Sequence, residues 1–223
     1  TQAKTLFPYT TLFRSPVRLI FEHPTIRELA AALANGSNDL AGESRPDLEA
    51  DLRLPTNITS PGRCVEWVPD PSVVLLTGGT GFLGAHLLRE LLNRTRATIY
   101  CLVRASDAER AFGRIRNNVA AHQLAVEGIE SRVRVIVGDL CKPRLGMSMD
   151  QYSRLSEQVD IIYHGGAAVN FLEPYGRIAR NNVEGTRYVL EFAVEGKRKP
   201  IHLISSTAVF GTLGYFKGDT RFL

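Results

Sequence analysis

Val73-Val74-Leu75-Leu76-Thr77-Gly78-Gly79-Thr80-Gly81-Phe82-Leu83-Gly84 decides how the chain is read. Its first five residues are a nearly continuous apolar run, the composition of a strand buried on both faces of a parallel sheet. Glycines stand at 78, 81 and 84, and Leu87, Leu88, Leu91 and Leu92 then recur at helical spacing. A strand, a glycine-rich turn and a helix follow one another directly. That order brings backbone N–H groups and a helix N-terminus to a point where a pyrophosphate can sit. Glycine allows the positive φ and the close backbone approach that such a turn needs.

Working toward the C-terminus, strand and helix patterns alternate. Thr98 to Val103 is the second expected strand, and a helix is expected from about Asp107 to Gln123. Arg132 to Val137 is the third strand and runs into Gly138-Asp139-Leu140. Val159 to His164 is the fourth, followed by the small residues Gly165-Gly166-Ala167-Ala168-Val169. A long helix is expected over 174–195, then a fifth strand from Pro200 to Ser205. Alternation of this kind predicts an α/β fold with a doubly wound, Rossmann-like parallel sheet, whose ligands bind at the carboxyl ends of the strands.

The second strand ends in Arg104, and no acid appears until Asp107. An NAD enzyme usually presents a carboxylate to the ribose hydroxyls at this point. An arginine pairs instead with a 2′-phosphate, so NADP(H) is expected over NAD(H). Arg114, on the following helix, is a second candidate for that phosphate.

Toward the N-terminus the chain changes character. Residues 37–71 are rich in Gly, Ser, Asn, Asp and Pro and read as a linker, so a domain boundary falls there. Ahead of it, Thr25 and Glu28 form a capping box for a helix over Ile26–Ala34, with Asn35-Gly36 as its stop. Residues 5–15, TLFPYTTLFRS, have no helical or strand period. They resemble the translation of a sequencing-library adapter, so residues 1–15 are excluded from the fold reading.

Composition narrows the function classes. The net charge is +4, but residues 1–71 carry 7 Lys/Arg against 9 Asp/Glu, and the remaining basic residues are scattered except for Lys197, Arg198 and Lys199. Scattered charge without interleaved aromatics argues against a nucleic-acid partner. No apolar run approaches the ~18 residues of a membrane span, and no secretory signal is legible. Three cysteines far apart suit neither a disulfide scaffold nor a metal ribbon, and fit a cytoplasmic protein.

The run Thr77, Gly78, Gly79, Thr80, Gly81, Phe82, Leu83, Gly84 resembles the T-G-[GA]-[TS]-G-F-[LI]-G fingerprint of extended short-chain dehydrogenase/reductases. Asn182-Val183-Glu184-Gly185-Thr186 is similar to their N-V-x-G-T motif and Ser205-Ser206-Thr207-Ala208-Val209-Phe210-Gly211 to their S-S-x-x-V-[YF]-G. Within that superfamily, Cys101 to Ala105, the run from Arg132 to Pro143 and Tyr163 to Phe171 resemble the thioester reductase domains of nonribosomal peptide synthetases and aminoadipate reductases. The segment over residues 16–36 resembles the closing helix of a peptidyl or acyl carrier domain, which fits a reductase that follows its carrier.

These resemblances imply NADPH as cofactor and a phosphopantetheinyl carrier bearing an acyl or peptidyl thioester as partner. The expected product is an aldehyde or an alcohol. The fingerprint residues, with Asp139, Leu140, Ala167, Ala168 and Val169, become the implied cofactor contacts, and Ser206 the implied catalytic serine, with its neighbours Ser205 and Thr207 still open for that role. His164 and Asn182 are expected to be architectural. The family's Tyr-x-x-x-Lys is not matched by Tyr215-Phe216-Lys217, whose spacing is wrong. The Rossmann domain over 72–223 is therefore expected to be cut short at its C-terminus, inactive alone and poorly soluble. Other extended short-chain enzymes (an epimerase or a fatty acyl reductase) and a non-catalytic nucleotide-binding fragment remain the alternative readings.

Overall fold

A computed structural model describes residues 20–21, 23–34, 48–56, 58, 68–170 and 173–206. Residues 1–15, Asn35-Gly36 and everything after Ser206 lie outside the described residues. Contacts divide the chain into two units, 1–52 with 169–178, and 53–168 with 179–223.

In the first unit, helix α1 spans Ile26–Ala34. The capping box is present: the Thr25 hydroxyl donates to Glu28 Oε2 at 2.7 Å, and the Glu28 N–H returns to Thr25 Oγ1 at 3.3 Å. The Thr25 hydroxyl, followed by the Thr25 N–H at 3.2 Å, donates to the Glu28 carboxylate and holds its carboxyl below the usual range. Ile26 is 89% exposed, while Leu29 is half-buried and Ala32 buried, so the apolar side of the helix is covered only in part. One turn of helix, α2 (Leu48–Asp51), interrupts the stretch expected to be linker. Its Asp51 accepts a 2.7 Å bond from the Tyr175 hydroxyl, a long-range partner that gives no local signal in sequence.

The second unit is built on five parallel strands. They are β1 (Val73–Thr77), β2 (Thr98–Val103), β3 (Val133–Val137), β4 (Ile161–His164) and β5 (Ile201–Leu203), in the order β3-β2-β1-β4-β5. The chain builds outward from β1 through β2 to β3, then returns to add β4 on the other side of β1. That reversal opens a crevice at the carboxyl ends of β1 and β4. Helices α3 (Phe82–Arg94) and α4 (Ala108–Ala121) follow the first two strands. A one-turn helix α5 (Ile129–Arg132) takes the residue expected to open β3, and α6 (Met149–Gln158) is capped by Val159, expected to open β4. The helix expected over 174–195 is in three parts: α7 (Tyr175–Ala179), a π turn (Arg180–Glu184) and α8 (Gly185–Val194).

Alternation along the strands feeds two separate cores. Val74, Leu76, Ile99, Cys101 and Ile161 pack with Leu88 and Ile115 on one face. Leu75, Leu102, Ile136 and Ile162 pack with Leu155, Val189 and Phe192 on the other. This two-faced burial is why β1 reads as unbroken apolar sequence rather than as an alternation. Among the described residues no helix is long and apolar enough to cross a membrane.

Two polar pins secure the amino ends of the strands. Asp160 accepts from the N–H groups of Ser72 (2.8 Å) and Val73 (2.9 Å) and is paired with Lys197. Lys199 is 3% exposed, and its ammonium donates to the carbonyls of Phe192 (2.9 Å), Glu195 (2.7 Å) and Lys197 at the end of α8. A cation there also complements the helix dipole. Lys199→Met keeps the stem but strands these carbonyls. Urea unfolding should report a loss of about 2–3 kcal/mol.

Candidate cofactor site

The glycine-rich turn joins β1 to α3 at the crevice. Gly78 has φ +77°, and a Cβ there would lie 2.5 Å from the carbonyl of Gly165, at the end of β4. A Cβ on Gly84 would lie 2.0 Å from the Gly78 oxygen. These two positions admit no other residue without movement, so turn, helix and neighbouring strand close onto one another. The turn is locked by Gly81 N–H donating to the Gly78 oxygen at 2.9 Å, and the Gly81 oxygen starts α3 by accepting from Ala85 N–H at 3.0 Å.

A cleft of about 230 Å³ opens above the turn. Gly78, Thr80 and Gly81 line it from β1, Arg104 from β2, Arg114 from α4, and Asp139 and Leu140 from β3. Ala167 lines it from β4 and Asn181 from the π turn. The other implied contacts sit differently. Gly79 and Gly84 are buried beneath the turn. Phe82 and Leu83 are 67% and 46% exposed at the start of α3 and do not line the cleft. Val169, 79% exposed, falls in the other unit.

Arg104 and Arg114 come together at one end. The Arg114 guanidinium donates to the Arg104 backbone carbonyl, which ties the Arg114 side chain to the loop after β2. Asp139 turns inward on its own loop, its carboxylate accepting from Cys141 N–H at 2.9 Å. Directly after β2 stands Arg104, and the next carboxylate in sequence is Asp107, the N-cap of α4.

Thr77 and His164 form the floor. Gly166 N–H donates to Thr77 Oγ1 at 3.0 Å, and Thr77 Oγ1 lies 2.7 Å from His164 Nδ1. His164 Nε2 lies 3.2 Å from Thr186 Oγ1, whose own proton goes to the Asn182 carbonyl at 2.6 Å. Thr186 therefore accepts, which assigns the ring proton to Nε2, and Thr77 donates to Nδ1. Burial pushes the His164 pKa down to about 4, so the ring is neutral. The imidazole is saturated by two hydroxyls and ties β1, β4 and α8 together. Asn182 is held as firmly: its side chain accepts from Ala168 N–H (2.7 Å) and donates to the Ala168 carbonyl (2.9 Å). Sequence reading left out Asn181, which lines the cleft, and Asn118, whose amide reaches the glycine-rich turn from α4. Neither belongs to a local motif.

Ser206 is exposed, three residues beyond the end of β5. Ile204 N–H donates to the His164 carbonyl at 3.0 Å, which carries the β5 end alongside that of β4. Thr207 and the Tyr215-Phe216-Lys217 stretch lie outside the described residues.

The family model described as male sterility protein, an NAD-binding domain, matches residues 76–222. The chain belongs to that family. A linear gramicidin synthase of Brevibacillus parabrevis is 39% identical over 205 residues, covering 88% of this chain and 4% of the relative. The L-2-aminoadipate reductase large subunit of Candida glabrata is 34% identical, covering 91% of this chain and 16% of the relative. The solved terminal R domain of the myxalamid PKS-NRPS pathway superposes with a TM-score of 0.68 at 42% identity, over 73% of this chain and 42% of that one. The reductase domain of a Mycobacterium tuberculosis nonribosomal peptide synthetase does so at 0.56 and 35%, over 65% and 35%. The chain is thus similar, over part of their length, to reductase domains of nonribosomal peptide synthetases and to an aminoadipate reductase. It spans a small part of its curated relatives and about two fifths of the solved reductase domains.

The residues present fit an NAD(P) cofactor. The chain offers a turn in which Gly78 and Gly84 leave no room for a Cβ, and two arginines line the cleft beyond it. Together these are the donor set for a dinucleotide.

Proposed function

We propose that the protein containing this chain uses NADPH to reduce a carrier-bound acyl or peptidyl thioester, releasing an aldehyde or an alcohol. The observation that carries the cofactor choice is Arg104 at the end of β2, lining the cleft beside Arg114, with no carboxylate in sequence before Asp107. Paired guanidinium groups recognise a 2′-phosphate through charge-assisted bonds, which a ribose hydroxyl does not reward.

The chain's own residues divide the work. The glycine-rich turn binds the pyrophosphate through backbone N–H groups, while Arg104 and Arg114 grip the 2′-phosphate. Asp139 and Leu140 border the adenine, and Ala167 and Ala168 leave space for the far ribose and the nicotinamide. When bound, NADPH would supply the hydride that adds to the thioester carbon, and a second NADPH would supply the hydride that takes the aldehyde on to the alcohol. Ser206 donates a hydrogen bond to the carbonyl oxygen as negative charge builds on it. The thiol of the phosphopantetheine arm is the leaving group. The partner reading is supported by the carrier-like helix α1, and by the similarity to a solved thiolation-reductase di-domain from an archaeal synthetase, 28% identical with a TM-score of 0.51.

Arg104→Ala tests the cofactor assignment. NADPH affinity should fall about 30-fold, equivalent to ~2 kcal/mol. NADH affinity should change less than about 2-fold. Fluorescence titration of both cofactors reads this directly. Equal losses for the two would overturn the 2′-phosphate reading.

A further inference from the structure

Helix α4 hydrogen-bonds to the cofactor turn through a residue outside every motif of the chain. The Asn118 side-chain amide donates to the Gly79 carbonyl at 3.1 Å and to the Gly81 carbonyl at 3.0 Å. One NH₂ group thus spans two alternate peptide units of the glycine-rich turn. One helical turn earlier, Arg114 donates to the Arg104 carbonyl. The same helix therefore fastens the loop after β1 and the loop after β2.

The consequence follows from peptide geometry. A trans peptide is planar, with its C=O and N–H pointing in opposite directions. The Gly79 carbonyl shares its peptide with the Thr80 N–H, and the Gly81 carbonyl with the Phe82 N–H. Drawing both oxygens toward α4 turns both N–H groups away from α4, at the end of the turn where Thr80 and Gly81 line the cleft. Hydrogen bonds to the two oxygens also polarise those peptides, which strengthens their N–H groups as donors to an anion. Glycines give the turn wide conformational freedom, so the Asn118 tether adds to the Gly81–Gly78 bond in holding this conformation.

We propose that Asn118 is a positioning residue for cofactor binding, presetting the Thr80 and Phe82 N–H groups toward the pyrophosphate without touching it. Arg114, four residues away on the same helix face, sets the distance from that donor pair to the 2′-phosphate end. The proposal rests on the NADPH reading for the Arg104 end only.

The test compares two ligands on the 223-residue chain. NADPH spans the whole site, and adenosine 2′-monophosphate carries no pyrophosphate. Asn118→Asp keeps the shape but replaces both donors with acceptors, and Asn118→Leu removes the polarity. Both variants should bind NADPH about 10-fold more weakly, the loss of one or two hydrogen bonds' worth of presetting. Binding of adenosine 2′-monophosphate should stay within about 2-fold of the wild-type chain. Thermal melting checks folding, and if Asn118→Leu melts early the isosteric Asp variant decides. Unchanged NADPH affinity, or equal weakening of both ligands, would overturn the positioning role. A wild-type chain that binds NADH as tightly as NADPH would instead sink the 2′-phosphate reading. The Asn118 effect should then appear with NADH.

Discussion

Gly84→Ala should cost this domain both its cofactor and a large part of its stability. The added methyl carbon would sit 2.0 Å from the Gly78 carbonyl oxygen and 2.7 Å from the Gly79 Cα. Both obstacles are backbone, so no side chain can swing aside to make room. Either α3 slides away from β1 or the turn unwinds. Sliding is opposed by Ala85, Leu88, Leu91 and Leu92, all buried in the core on that face. Unwinding breaks the Gly81–Gly78 bond and moves the N–H groups of the turn. The stability loss expected in urea unfolding is about 3 kcal/mol, at the upper end for overpacking. Dinucleotide affinity should drop by at least about 100-fold, equivalent to ~3 kcal/mol. Gly113 is the control, since a Cβ there meets nothing within 4 Å. Gly113→Ala, inside α4, should stabilise by about 0.5–1 kcal/mol.

Acid should loosen the floor of the site through His164. Its pKa lies at about 4 in the folded chain, below the ordinary 6.5, because the ring is buried. Between those values the unfolded chain binds the extra proton and the folded one does not. Stability is therefore full above pH 6.5 and is lost as pH falls through the window to 4. The loss from this one group reaches up to about 3 kcal/mol. Protonation at Nδ1 also abolishes the acceptor that Thr77 uses, so the contact between the ends of β1 and β4 weakens with it. Denaturant midpoints measured from pH 7.5 to 4 should show this slope. In His164→Asn the slope should flatten, at a constant cost of about 2 kcal/mol from the repacked floor. A slope unchanged in the variant would assign the acid loss to other groups.

How much of this was legible in advance depends on the range of the signal. The glycines at 78, 81 and 84 act within seven residues of one another, and the strand feeding them is apolar because it is covered on both faces. Turn, strand and fold class could all be read from so compact a stretch. Arg104 was legible for the same reason, as the residue at the end of a strand. Phe82 and Leu83 show the limit of reading by motif. They stand in the fingerprint, yet the helix that begins with them directs them away from the cleft. Asn118 is 37 and 39 residues from the carbonyls it holds, and neither of its neighbours marks it out. The π turn over Arg180–Glu184 was hidden too. Its composition is ordinary helix, and the wider winding places Asn181 on the cleft while Asn182 holds Ala168. The left-handed pair Arg144 and Leu145, at φ +55° and +57°, carries no glycine to announce it. Burial of Leu145 and the 2.8 Å bond from Asp139 N–H to its carbonyl hold that pair in place.

The strand order also has a consequence in time. β1 lies between β2, its near neighbour in sequence, and β4, whose His164 is 87 residues beyond Thr77. A ribosome adding about 5–20 residues per second would finish β1 roughly 4–17 s before its second neighbour is made. During that interval β1, α3, β2, α4 and β3 can assemble one face, while Leu75, Leu102 and Ile136 wait for Ile162 and Phe192. The central strand of the finished sheet is thus an open edge during synthesis, and such edges recruit other chains. Slowing elongation between β3 and β4 should therefore lower the yield of folded domain, whereas slowing it within the linker should not.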